Sequence, residues 1–247
     1  MHPRRIAAVA AALFVALGVA SPAEGVVGGT ETSASAYPWL AAIGSPAFPL
    51  RPGGQFCAGA LVAPDQVLTA GHCAVVAGVA PSAMRVTFGR TDLRTGEGTT
   101  VGVRSVHLHP DFGITLFEGD MANHHDVALL TLTHPVDLPT AELTTPHGDS
   151  GTVVGWGVTQ EDDWSNAVLR RATIPLRSDA DCAAAYDSAY DPAEAFCAGS
   201  PAADSAEFDS GGPLLIDGKI AGLTSWGKGA AREGYPGVYA RVPSLDF

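Results

Sequence analysis

Short apolar runs, each closed off by turn-forming residues, recur along this chain and restrict what it can fold into. Ala58–Ala63, Met84–Gly89, Thr99–Val106, Val127–Leu132, Thr152–Trp156, Pro213–Ile216, Ile220–Trp226 and Gly237–Val242 have this form, with Gly, Pro, Asp and Thr between them. Several alternate, or are rich in Val, Thr and Leu, as half-buried strands are. The 29 Gly and 18 Pro supply many turns and argue against long helices. A 3.6-residue period is confined to Asp179–Tyr186, which is predicted as a short helix. There is no internal repeat and no low-complexity linker. An all-β sandwich or barrel follows. At 247 residues and 46% hydrophobic the chain has ample material for a core, and one all-β domain of that size is ordinary.

Charge narrows the function. With 14 Lys+Arg against 26 Asp+Glu the formal net charge is −12, which repels phosphate backbones and excludes nucleic acid as an expected partner. The N-terminus reads as an address. Arg4 and Arg5 precede the apolar run Ile6–Val19, and small residues (Ala20, Ser21, Ala23) follow. Residues 6–19 fall short of the roughly 20 needed to span a bilayer, so the stretch is predicted as a secretory signal peptide. The expected leader covers residues 1–20, with the cut as late as 23. Secretion to the extracellular space is therefore expected, with no membrane association of the mature form. There the four cysteines meet oxidising conditions, and their even number permits two bridges.

Three polar groups stand out against apolar surroundings. The run Leu68-Thr69-Ala70 leads into Gly71-His72-Cys73. Asp126 enters directly into Val127-Ala128-Leu129-Leu130, and burying an unpaired carboxylate costs several kcal/mol, so Asp126 calls for a partner. Asp209-Ser210-Gly211-Gly212-Pro213 presents a serine on a glycine-rich turn ahead of a strand. An imidazole, an acid and a hydroxyl on separate loops are the parts of an activated nucleophile.

With these flanks the chain resembles the trypsin-like (chymotrypsin-fold) serine proteases. The resemblance runs from Val26 to Val242. Its landmarks are Val26-Val27-Gly28-Gly29, Leu68–Cys73, Asp126–Leu130, Gly155-Trp156-Gly157, Phe196-Cys197-Ala198-Gly199, Asp209–Pro213, Ser225-Trp226-Gly227 and Pro236-Gly237-Val238-Tyr239. It implies two packed six-stranded antiparallel β-barrels with the active site in the cleft between them, and a protease domain over residues 26–247. It also implies a catalytic set of His72, Asp126 and Ser210, with the backbone N–H groups of Phe208 and Ser210 as the oxyanion hole. Asp204 would select Arg or Lys side chains, with Ser225, Trp226, Gly227 and Gly237 lining the substrate pocket. Bridges Cys57–Cys73 and Cys182–Cys197 match two family disulfides.

The resemblance carries an activation step as well. Residues 21–25 would be a short pro-segment, and a new α-ammonium on Val26 would pair with Asp209. Gly25 before that bond is unlike the Lys or Arg after which trypsin-like enzymes cut, so a separate activating protease is expected. Protein or peptide substrates, a monomer, and no cofactor or metal complete the expectation. His107-Leu108-His109 and His124-His125 lack a third ligand at a zinc-like spacing.

Three departures stand out. Ala206 and Ala230 replace both ends of a third family bridge, which should loosen the pocket wall. The residues after Val242 are too few for the C-terminal helix usual in the family. Phe208 stands where the family has glycine and is expected to tilt the oxyanion peptide or narrow the cleft. From Phe208 comes the alternative, a protease-like binding protein with impaired catalysis.

Overall fold

The protein is described by a computed structural model over residues 26–76, 79–159 and 164–242. The expected leader (1–20), the pro-segment (21–25) and residues 243–247 lie outside the described residues.

The N-terminal half holds β1 (Thr30–Glu31), β2 (Leu40–Gly44), β3 (Gln55–Ala63), β4 (Gln66–Thr69), β5 (Arg85–Phe88), β6 (Thr99–Leu108), β7 (Gly113–Phe117), β8 (Asp120–His124) and β9 (Ala128–Leu132). One helical turn, α1 (Gly71–Ala74), follows β4. The order β2-β3-β4-β9-β6-β5 closes into a barrel with antiparallel pairing throughout, for example Leu68 opposite Leu129. Its interior is filled by Ile43, Leu61, Val67, Met84, Val86, Phe88, Val101, Leu130 and Leu132.

The C-terminal half holds β10 (Ser150–Gly155), β11 (Arg170–Pro175), α2 (Asp179–Tyr186), β12 (Ala195–Ala198), β13 (Pro213–Ile216), β14 (Lys219–Trp226) and β15 (Gly237–Arg241). Six strands run β11-β10-β13-β14-β15-β12, with β1 added outside β11. The two ends meet just past β11. Leu176 bridges Ala198, and the N–H groups of Arg177 and Gly199 donate to Cys197 and Pro175 carbonyls at 2.9 Å. This half is therefore a second six-stranded barrel, cored by Val153, Ile174, Phe196, Leu214, Ala221 and Tyr239. A third apolar cluster spans both barrels. It joins Leu40, Ala58 and Leu68 to Val154, Trp156, Leu215 and Leu223, and it fixes the cleft between the halves.

The predicted helix falls on α2. Ser178 caps it by accepting from the Asp181 N–H at 3.1 Å, while Cys182 and Tyr186, one turn apart, face inward. Each apolar run named from the sequence contains a strand. Not foreseen were β1, β2, β4, β11, β12 and the β7–β8 hairpin. β2 and β12 are short, Ala-rich and buried along their whole length, so they show no alternation. The hairpin closes on Glu118-Gly119, both at positive φ (48° and 93°), the two-residue turn that fits the strand twist.

Candidate active site

The loops around the cleft are held by backbone contacts that only small residues permit. α1 follows β4, and the Cys57–Cys73 disulfide ties it to β3. The Ser210 carbonyl accepts from Ala58 N–H at 2.8 Å, one residue beyond that bridge. Gly211 has a left-handed φ of 73°, and a Cβ there would meet Thr69 Oγ1 at 2.3 Å. Glycine thus lets the Ser210 turn press against the strand that delivers His72.

His72 and Asp126 are joined twice. Asp126 Oδ1 accepts from the His72 backbone N–H and Oδ2 faces Nδ1, both at 2.7 Å. Asp126 is only 1% exposed, and Ser225 Oγ donates to the same Oδ2 at 2.5 Å. Burial alone would raise the Asp126 pKa. The opposing charge of His72 and the donors from His72 and Ser225 outweigh it and hold the carboxyl below its ordinary value. Among the described residues no hydrogen bond joins Ser210 Oγ to His72, a contact that in unliganded sites is often long.

Ser210 and Asp204 line one cavity of about 150 Å³, together with Ser225, Trp226, Gly227 and Gly237. The two alanines at the vacated bridge position, Ala206 and Ala230, line it too. The Asp204 carboxylate accepts from the N–H groups of Ser205 (2.8 Å) and Ala231 (3.1 Å). Burial still pushes its pKa up to about 7. Gly237 is required here because its Cβ would lie 2.8 Å from Asp204 Oδ1.

Val26 and Asp209 are both buried, in the chain that continues back from Val26 to Gly25. Asp209 accepts from Gly157 N–H at 2.7 Å and Ala206 N–H at 3.1 Å, and burial raises its pKa to about 7 despite those donors and the nearby charge of Arg51. No described hydrogen bond links Val26 to Asp209.

Phe208 keeps the backbone conformation expected of glycine. Asp209 N–H donates to the Ala206 carbonyl at 3.0 Å, and Phe208, third residue of that turn, has φ 72°. This is the pattern of a type II turn, which favours glycine at that place. A side chain there costs about 1–2 kcal/mol. The Phe208 ring packs under the Arg51 guanidinium, 4.0 Å from its centroid, and edge-on to Trp164 at 5.0 Å. Contacts of these kinds are each worth about 0.5–2 kcal/mol, enough to offset the strain. The Phe208 ring, whose bulk was expected to tilt this peptide or narrow the cleft, is packed against Arg51 and Trp164.

Arg51, Gln55, Asn123 and Glu194 have no sequence signal that singles them out, yet all are drawn to the site. Arg51 and Gln55 reach the Phe208 turn. Asn123 Nδ2 donates to the Ser225 carbonyl at 3.4 Å. Glu194 binds both histidines ahead of Asp126, through Oε1 to His124 Nδ1 (2.6 Å) and Oε2 to His125 Nε2 (3.1 Å). Those two imidazoles are thus engaged with a carboxylate. The group Cys57, His72 and Cys73 has metal-like spacing, but its two sulfurs are bonded to each other and are not thiolates. The second disulfide joins Cys182 to Cys197.

A family model described as trypsin matches residues 26–246. The chain is 39% identical to a trypsin of Saccharopolyspora erythraea, over 88% of this chain and 93% of that protein. It is 34% identical to a vitellin-degrading protease of Bombyx mori and 35% identical to trypsin 5G1 of Aedes aegypti, each over 89% of this chain and 82% of the relative. Double barrel, cleft and sequence similarity agree: the chain belongs to the trypsin family and is a serine-type endopeptidase.

Proposed function

We propose that this endopeptidase is secreted and cleaves peptide bonds after Arg or Lys through Ser210, His72 and Asp126. The observation that carries the reading is the doubly bonded His72–Asp126 pair beside the Ser210 turn, with the buried acid Asp204 in the cavity that Ser210 lines. Ser210 Oγ attacks the scissile carbonyl carbon while His72 takes the hydroxyl proton. The carbonyl π electrons move onto oxygen, where the N–H groups of Phe208 and Ser210 receive the charge. Collapse expels the leaving amine, which takes the proton from His72 and leaves an acyl-enzyme. Water, deprotonated by His72, then releases the acid and restores Ser210. Asp126 holds the imidazole tautomer and stabilises the imidazolium.

Asp204 pairs with the cationic side chain, and Gly227 and Gly237 leave it room. Glu207, which lines the same cavity, disfavours acidic residues near the cut bond. Residues 1–20 act as the leader and 21–25 as the pro-segment, and an activating protease frees Val26, whose ammonium pairs with Asp209. The protease works as a monomer on protein or peptide substrates. The positive φ of Phe208 supports this reading over the alternative of a protease-like binding protein with impaired catalysis.

Processed protein should bond covalently to a fluorophosphonate at Ser210, and a mixed peptide library should be cut after Arg and Lys. Absence of labelling would overturn the mechanism. Cuts after other residues would overturn the specificity and leave the mechanism standing.

A further inference from the structure

We propose that Arg51 is a positioning residue for the oxyanion hole, acting through the ring of Phe208. The proposal rests on the reading above that the Phe208 N–H receives the oxyanion. Arg51 lies on the β2–β3 connection of the first barrel, whereas Phe208 belongs to the second. Arg51 is 3% exposed, and its guanidinium is fixed by Gln55 Oε1 (2.7 Å) and by the carbonyls of Trp156 (3.0 Å) and Trp164 (2.6 Å). The plane so fixed lies over the Phe208 ring. Gln55, held by the same guanidinium, donates through Nε2 to the Phe208 carbonyl at 2.7 Å. One arginine therefore controls both the side chain and, through Gln55, the carbonyl of Phe208.

The reason for such a clamp is conformational. Glycine enters the left-handed region freely, while a residue with a Cβ relaxes out of it unless its surroundings hold it there. Relaxation would turn the peptide that carries the Phe208 N–H. The aromatic ring gives Arg51 and Trp164 a face and an edge to hold. A buried cation over an aromatic face is a strong form of this contact because water does not compete. In this protein Phe208 and Arg51 together perform what glycine does alone through its freedom.

The clamp makes an order of activities that differs from one set by size. The test is the order of kcat among residues at position 208, with Phe208→Gly and the wild type both well above Phe208→Leu. Phe208→Leu retains the Cβ and loses the ring, so its kcat should fall about 10- to 100-fold, a fraction of the loss for a deleted oxyanion donor. KM for a small arginyl ester and inhibition by benzamidine, which reads the Asp204 pocket, should stay within about twofold in both. Arg51→Met should lower kcat like Phe208→Leu, yet lose no more than about threefold when added to Phe208→Gly. The Phe208 variants leave Arg51 and its hydrogen bonds in place, so they decide the matter even if Arg51→Met does not fold. An activity for leucine between those of phenylalanine and glycine, or an Arg51→Met loss equally large in both backgrounds, would overturn the proposal. A wild-type protein that fluorophosphonate does not label would instead overturn the catalytic reading beneath it.

Discussion

Ser225 donates its hydroxyl to Asp126 Oδ2, the oxygen that also faces His72 Nδ1. The family resemblance points to Ser225 as a pocket residue, and it does line the cavity, but its side chain is turned to the buried acid. Hydrogen bonds to charged groups contribute about 1.5–3 kcal/mol, so Ser225→Ala should lower kcat by roughly tenfold or more at pH 8. The stability effect has a defined sign. Asp126 has a folded pKa below its unfolded value, so its contribution is present above the unfolded pKa and is lost as pH falls through the folded one. In a Ser210→Ala background, which prevents self-digestion, Ser225→Ala should therefore be less stable in urea at pH 7, with the gap closing below about pH 4. A gap independent of pH would count against the carboxylate as its source.

Asp204 must be ionised to hold a cation, and burial pushes its pKa up to about 7. Benzamidine should therefore bind more weakly as pH falls from 8 to 5, approaching tenfold per unit well below 7. Asp204→Asn should bind poorly at all these pH values. Calorimetry on the Ser210→Ala protein checks both. The same elevated pKa has the opposite effect on folding. The native state favours protonated Asp204, so this group's contribution declines as pH rises from about 4 through 7.

Gly157 has its amide on Asp209 Oδ1, and a Cβ there would lie 2.3 Å from Oδ2 and 2.6 Å from Oδ1. Gly157→Ala should push the carboxylate off its buried donors, cost more than about 3 kcal/mol and abolish labelling at Ser210. Gly96→Ala is the control, because nothing lies within 4 Å of its added Cβ. It should stay within about 0.5 kcal/mol of the wild type in urea unfolding.

Glu194, 7% exposed at its side chain, reaches from just before β12 to His124 at the end of β8 and to His125 after it. It also accepts from the His125 backbone N–H at 3.1 Å, one residue before Asp126, where His125 itself has φ 45°. Glu194→Ala leaves these donors unpaired, at a cost of about 1–3 kcal/mol. A melting temperature lower by roughly 2–10 °C is expected, with kcat reduced more than KM is changed. Unchanged melting would mean that water replaces the carboxylate without loss.

Much of this protein was legible because its signals are local. Turn residues around apolar runs marked most strands, Ser178 and the 3.6-residue period marked α2, and the flanks of His72, Asp126 and Ser210 carried the family resemblance. β2 and β12 were not legible, since strands buried on both faces lose the alternation that reveals them. The sequence by itself determined an all-β chain of the trypsin family and placed glycine where the Ser210 turn and the Asp209 pocket tolerate no Cβ. Only the tertiary structure decided what Arg51, Gln55, Ser225 and Glu194 do. Ser225 lies 99 positions from Asp126, Gln55 153 from Phe208, and Glu194 70 from His124. Such pairings depend on which loops the two closed barrels bring face to face. No neighbouring residue in the chain records that, because the energy of a buried hydrogen bond or a cation over a ring arises from spatial proximity alone.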